Sequence, residues 1–204
     1  VPFTGQTYCV TVPTGKLWVR RNGVISERRN CGIDWGWDSP SVAIVAFIDK
    51  KENIYVVHEM AMTQTDDPEF VDIVARRIHI PYKIQMYFPD ISNPSGINIL
   101  RKAGLPVSSK VDKDIHLGIQ TLKRFIKLPG LRTGKLFVLD TLSGLLEELG
   151  KFHLKLDASG KIVSHDEYAD EWDHHVDSLR YIVQTKLGRF QILAGHMLSP
   201  KSDK

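Results

Sequence analysis

Apolar positions recur along the chain in two rhythms, and these divide it into strands and helices. Residues 31–37, 40–49 and 53–62 are short apolar runs between turns, which predicts three strands. The second run holds no charged residue from Pro40 to Phe47, so it has to be largely buried. Asp49-Lys50-Lys51-Glu52-Asn53 is short and polar, so the second and third strands form an antiparallel hairpin. The rhythm then changes. Thr65-Asp66-Asp67-Pro68-Glu69 combines capping side chains, an early proline and acids, which starts a helix. Phe70, Ile73, Val74 and Ile78 carry it at helical spacing to a break at Pro81. Lys83 to Phe88 is a strand that ends on Pro89-Asp90. Ile97 to Ala103 is a short helix stopped by Gly104, and Leu105-Pro106-Val107 is a short strand. Asp112 or Lys113 starts a helix through Ile115, Ile119, Leu122 and Ile126, ending at Leu128-Pro129-Gly130. A strand from Lys135 to Asp140, a helix from Thr141 to about Gly150 and an exposed hairpin over 152–163 follow. A helix from about Glu171 to Leu187 closes the ordered part, and the tail past Pro200 is expected to be disordered.

Three antiparallel strands followed by alternating helices and strands imply an α/β fold, a mixed sheet with helices on both faces. Among common layouts the ribonuclease H-like fold has this order. In it the first strand carries an Asp, the fourth ends beside it, and a late helix supplies the last acid. At 204 residues one domain is expected. We expect residues 1–30 to be a leader or hairpin, 31–190 the domain, and 191–204 a C-terminal tail. The opening Val in place of Met predicts an excised or processed piece. No apolar run approaches the roughly 20 residues of a membrane span, and no secretory signal precedes the first strand. Cys9 and Cys31 have neither zinc-like spacing nor the density of a secreted scaffold, so they read as reduced thiols of an intracellular protein.

Net charge is +3, and its distribution says more than its size. Basic residues dominate from Arg101 to Lys135, and acids dominate from Asp166 to Asp177. One basic surface with one acidic cluster suits a protein that grips a polyanion and does metal chemistry on it; a solvated helix face beside an acidic turn has the same composition. Asp34 sits within an apolar strand, where a lone carboxylate needs an Arg, a Lys or a metal as compensation. Asp90 follows a strand at a Pro-Asp corner, the usual exit from a buried sheet. On the last helix Trp172, Val176, Leu179 and Val183 share the packed face, with Asp173, His174, Asp177 and Tyr181 on the adjacent side. The spacings of Asp173 and His174 from Asp177 let either pair meet one ion. Hard divalent cations prefer such oxygen ligands, and two of them together serve phosphodiester cleavage.

Three stretches carry a resemblance: Gly32-Ile33-Asp34-Trp35-Gly36, Phe88-Pro89-Asp90, and Asp173-His174-His175-Val176-Asp177-Ser178-Leu179-Arg180-Tyr181. Together they resemble the C-terminal nuclease domain of the large terminase subunit of tailed bacteriophages and herpesviruses. The last stretch looks like the family's Asp-His-x-x-Asp-Ala-Leu-Arg-Tyr block, with Ser178 in the Ala position. The match runs from about Gly32 to Gln184, and Leu146-Glu147-Glu148-Leu149 with the following hairpin keeps the family's order.

The resemblance implies that Asp34, Asp90 and Asp177 bind two divalent ions, Mg²⁺ or Mn²⁺. Asp34 would bridge them, Asp90 would hold the ion nearer the leaving group, and Asp177 the other. His174 matches a position that assists at the second metal in some members, and Asp173 is an additional acid that only some use. His175 is expected to pack or to face solvent. Arg101, Lys102, Lys110, Lys113, Lys123, Arg124 and Lys127 would grip phosphates without reading bases. The implied activity is endonucleolytic cutting of double-stranded viral DNA at the start and end of packaging, in the cytoplasm of the infected host cell. The implied partners are the ATPase domain of the same subunit, the portal and the small terminase subunit. Gly130-Leu131-Arg132-Thr133-Gly134-Lys135-Leu136 is no substitute for that ATPase: it is short of the phosphate-loop spacing and lacks the Ser or Thr after Lys. Two alternatives stay open, a junction resolvase or ribonuclease H of the same fold, and a silent DNA-binding module of the motor.

Overall fold

The structure, a computed structural model, describes residues 20–21, 24–25, 28–112, 114–126, 134–151 and 173–188. The expected hairpin at 152–163, the tail past Pro200, and Lys113 and Lys127 lie outside the described residues. A minimal antiparallel ladder pairs β1 (Arg20–Arg21) with β2 (Val24–Ile25). The main sheet has five strands: β3 (Arg28–Asp34), β4 (Ser41–Ile48), β5 (Ile54–Met62), β6 (Met86–Pro89) and β7 (Leu136–Val138). Their order is β6-β3-β4-β5-β7, antiparallel across β3-β4-β5 and parallel at both outer pairs. This is the mixed, ribonuclease H-like sheet that the element order predicts.

Six helices among the described residues cover it. They are α1 (Asp67–Val74), α2 (Ile80–Tyr82), α3 (Pro94–Lys102), α4 (Ile115–Phe125), α5 (Ser143–Lys151) and α6 (His174–Leu187). Phe70, Val71 and Val74 of α1 and Leu100 of α3 pack with Cys31, Ile33, Ala43 and Val45 on one face of the sheet. Residues of α4, α5 and α6 pack with Val42, Ile44 and Ala46 on the other. Alternation along β4 sends successive side chains into these two cores, which is why that strand is buried almost throughout. No helix among the described residues is long and apolar enough to cross a membrane.

Several elements differ from their predicted bounds. β3 begins at Arg28, because Arg28, Arg29 and Asn30 continue the ladder with Ile48, Phe47 and Ala46. It ends at Asp34, where a tight loop takes over: the Ser41 hydroxyl accepts from Gly36 N at 3.0 Å and donates to Gly36 O at 2.9 Å. The helix from Asp67 does not break at Pro81. A π-helical segment, Ala75–His79, shifts its register, and Pro81 then falls in the first turn of α2, where a missing N–H is tolerated. α3 starts three residues early because Asn93 accepts from Gly96 N at 2.9 Å and Pro94 opens the first turn. The strand expected at Leu105-Pro106-Val107 is a single parallel bridge from Val107 to Tyr87.

Gly32 sets the depth at which α6 crosses the sheet. A Cβ built on Gly32 would lie 1.8 Å from the Ser178 carbonyl oxygen, so the helix backbone rests on the strand itself. The Ser178 hydroxyl donates to Val42 O at 3.1 Å and secures the crossing to the neighbouring strand. One residue pair along β3 advances about 6.7 Å, and one turn up α6 covers about 6 Å. Starting from the Gly32–Ser178 contact, these equal steps bring Asp34 and His174 together. Gly32→Ala is therefore expected to destabilise the fold by about 3 kcal/mol or more, read as a lower urea midpoint with the slope unchanged.

Candidate active site

Asp34, the last residue of β3, is 9% exposed and accepts a hydrogen bond from His174 Nδ1 at 2.9 Å. Burial pushes the Asp34 carboxyl up to about 6; the His174 bond lowers it, and the charges of Asp177 and Asp90 raise it further. Asp90 N–H meets Ile33 O, and His174, three residues before Asp177, bonds Asp34, so all three acids belong to the end of the sheet where β3 and β6 finish. His174 is raised above its ordinary value by its bond to Asp34, against burial, which lowers it. Asp173 stands 3.8 Å from His174 Nδ1, and burial raises its carboxyl, with the charge of Asp177 adding to the effect.

Asp90 is held at a corner. Its N–H donates to Ile33 O at 2.8 Å, extending the β3–β6 pairing, and the Trp35 indole donates to its carbonyl at 3.1 Å. Its side chain accepts from Ser92 N at 3.0 Å and from the Ser92 hydroxyl. Asp177 is engaged by Arg180, whose Nε and Nη2 donate to its two oxygens at 2.9 and 2.7 Å. Among the described residues, no three His, Cys, Asp or Glu side chains stand close enough together to hold one ion. Asp90 is turned to Ser92 and Asp177 to Arg180.

The basic residues named from the sequence that are described fall on separate elements. Arg101 and Lys102 lie in the last turn of α3, about 13 Å of helix from its start at Asn93. Lys123 and Arg124 lie in the last turn of α4. The next residue, Phe125, accepts from Lys135 N, and Lys135 O meets Ile54, the end of β5 opposite Met62. With α3 and α4 on different faces of the sheet, the run that is continuous in sequence is divided in space. Lys110 is exposed in the segment between them.

Sequence reasoning assigned no role to Arg180 or Glu148 and left His175 between packing and solvent. Arg180 is 1% exposed, and buried Glu148 binds buried His175. A signal for Glu148 was available: it falls between Leu145 and Leu149 on the apolar stripe of α5, where an acid needs a partner. Of the polar side expected for α6, Tyr181 is buried, while Asp173, His174 and Asp177 are half-buried.

No family model matches the sequence, and neither does any curated protein. Solved structures do. The large terminase of a thermophilic bacteriophage, in complex with ADP, superposes with a TM-score of 0.67 at 23% identity over 86% of this chain. The large terminase nuclease domain of bacteriophage SPP1, with bound Mn, gives 0.60 at 17% identity over 78% of this chain and 86% of its own. The large terminase nuclease of thermophilic phage G20c, with bound cobalt, gives 0.55 at 18% over 80% of this chain and 88% of its own. The chain has the terminase nuclease fold. It spans 42% of the length of the thermophilic phage's large terminase and most of the length of the two nuclease structures. Within the terminase nuclease fold of this chain, a stability cost attaches to Asp34.

The folded value near 6 lies above the ordinary 3.8, so the ionised carboxylate costs stability. The cost is absent below about pH 4, grows as pH rises and is complete above about pH 6. In EDTA, Asp34→Asn is expected to be more stable than wild type at pH 7 by on the order of 2–3 kcal/mol, with the gap closing towards pH 4. Urea denaturation at the two pH values measures it.

Proposed function

We propose that this chain is the divalent-metal-dependent nuclease domain of a viral large terminase. It would cut double-stranded DNA with little sequence preference when genome packaging starts and stops. One arrangement carries this reading: buried Asp34 bonds His174 of the helix that bears Asp177, and Asp90 N–H pairs with Ile33 O beside it, so acids from three distant parts of the chain come to one end of the sheet. Bound Mn in the SPP1 nuclease domain and bound cobalt in the G20c nuclease support divalent-metal use here.

The donor set fits such ions, since hard divalent cations take carboxylate oxygens and a buried, mutually repelling set gains most from a cation. Asp34, Asp90 and Asp177 would hold two ions, Mg²⁺ or Mn²⁺, with His174 and Asp173 beside them. Bound ions would neutralise the phosphodiester and make an attacking water more acidic. The protein's own groups do the rest. His174 orients Asp34 through Nδ1, Arg180 fixes Asp177, and Trp35 and Ser92 hold the Asp90 corner. Arg101, Lys102, Lys110, Lys123 and Arg124 would meet phosphates along the flanks rather than the scissile one, with Lys113 and Lys127 continuing the same run. The span of 42% of a large terminase that binds ADP supports an ATPase domain of the same subunit as a partner. The portal, the small subunit and the cytoplasm of the infected host cell complete the proposal.

Nicking and linearisation of plasmid DNA in Mn²⁺ test it. Asp34→Ala is expected to lower the rate at least about 10³-fold, since several kcal/mol of transition-state stabilisation go with the ions. Cutting by Asp34→Ala at the wild-type rate would overturn the assignment of the acids. Preference for a four-way junction or an RNA–DNA hybrid over linear duplex would move the protein to a resolvase or ribonuclease H. A wild type that cuts nothing under any divalent ion would leave a DNA-binding module. For the flanks, Arg101→Ala with Lys102→Ala is expected to reduce the slope of log affinity against log salt by roughly 1.8, at about 0.9 for each phosphate no longer neutralised. An unchanged slope removes α3 from the DNA path.

A further inference from the structure

The helix that carries His174 and Asp177 is not capped by the side chain at its own N-cap. Asp173 occupies the N-cap position of α6 and makes no side-chain cap hydrogen bond. A carboxylate from α5 meets the first-turn N–H groups instead. Glu148 Oε2 accepts from His175 N at 2.7 Å and from Val176 N at 3.0 Å, and Oε1 accepts from His175 Nδ1 at 2.6 Å. The His175 ring fills the space over Gly144, where a Cβ would lie 2.5 Å from Nε2. The start of α5 is held in the same way, since Glu59 of β5 accepts from Gly144 N and Leu145 N, both at 2.9 Å. Two acids thus tie β5 to α5 and α5 to α6.

Glu148 is 5% exposed and sits on an apolar stripe, where a leucine would bury more surface without a charge. What a leucine lacks is direction. Three hydrogen bonds to one carboxylate fix both the axis and the rotation of the first turn of α6. The residues on that turn are His174, which bonds Asp34, and Asp177, whose N–H donates to Asp173 O at 2.6 Å.

We propose that Glu148 is a positioning residue for the acid centre: by capping α6 and clamping His175 it holds His174 and Asp177 in place against Asp34. The inference rests on the nuclease reading above. Its test compares Glu148→Gln with Asp66→Ala, which removes the side-chain cap of α1 on the other face of the sheet. Both variants are expected to fold with a similar fall in Tm. In Glu148→Gln alone, the Mn²⁺ concentration for half-maximal thermal stabilisation rises about tenfold, as for loss of a group that orients metal ligands. In the same variant kcat for DNA cutting falls while KM for DNA holds. In metal-free protein the His174 imidazole ¹⁵N shifts, which report its bond to Asp34, move in Glu148→Gln and stay in Asp66→Ala. An equal Mn²⁺ response with unmoved His174 shifts in both variants would overturn the proposal. A wild type with no Mn²⁺ response sinks the nuclease reading instead, and the His174 shifts then decide the role of Glu148 alone. If Glu148→Gln does not fold, Glu148→Asp, which keeps the charge and shortens the reach, takes its place under the same expectations.

Discussion

The contact of the Ser178 carbonyl with the bare Cα of Gly32 is the constraint from which the rest of the molecule follows. A helix normally stands off a sheet by the thickness of two side chains. Here one side chain is missing, and the helix backbone settles onto the strand. That depth lets Val176, Leu179, Ile182 and Val183 reach the core formed by Val42, Ile44 and Phe88. It also brings the polar residues near the start of the helix level with the end of β3. Helix α4 then closes against α6 at Gly118, where a Cβ would meet Gln184 and Arg180. The Asp34–His174 pairing and a tightly packed core are thus two results of one close approach.

The charges around this approach are unevenly compensated. Asp34, Asp90, Asp173 and Asp177 gather near the His174 imidazole and the buried guanidinium of Arg180. Arg180 spends its hydrogen-bond donors on Asp177 and, at 3.4 Å, on Gln184. An apolar residue at position 34 would suit the strand better. A protein that keeps an acid there gives up folding stability for a local excess of negative charge, a pattern common at sites that bind something.

Much of this was legible in the sequence, and the remainder was hidden for identifiable reasons. Asp34 stood out as a lone acid in an apolar strand, and Asp90 as a Pro-Asp exit. The spacing of the acids on the last helix put them on one side before any coordinates did. These are local signals, and local periodicity reads them. The role of Gly32 was invisible because it depends on what crosses above it, far along the chain at Ser178. Glu148 lay on a readable stripe, but its partners belong to another helix. The basic run from Arg101 to Lys135 shows the opposite limit of local reading. It is continuous along the chain, and the sheet passes between the helices that carry it. The helical wheel of α6 likewise put Tyr181 on the polar side, where it is buried, while Asp173, His174 and Asp177 stay half-buried.

The bond between His174 and Asp34 joins positions 140 residues apart, and the helix that supplies it comes after every other described element. During synthesis the strands and the first helices leave the ribosome well before that helix does. Until it emerges, the groove above Gly32 is empty and the acidic residue beneath it has no partners. Contacts of such long range form late and only as part of the whole. A growing polypeptide of this kind therefore lacks the Asp34–His174 pairing until its last described helix has emerged.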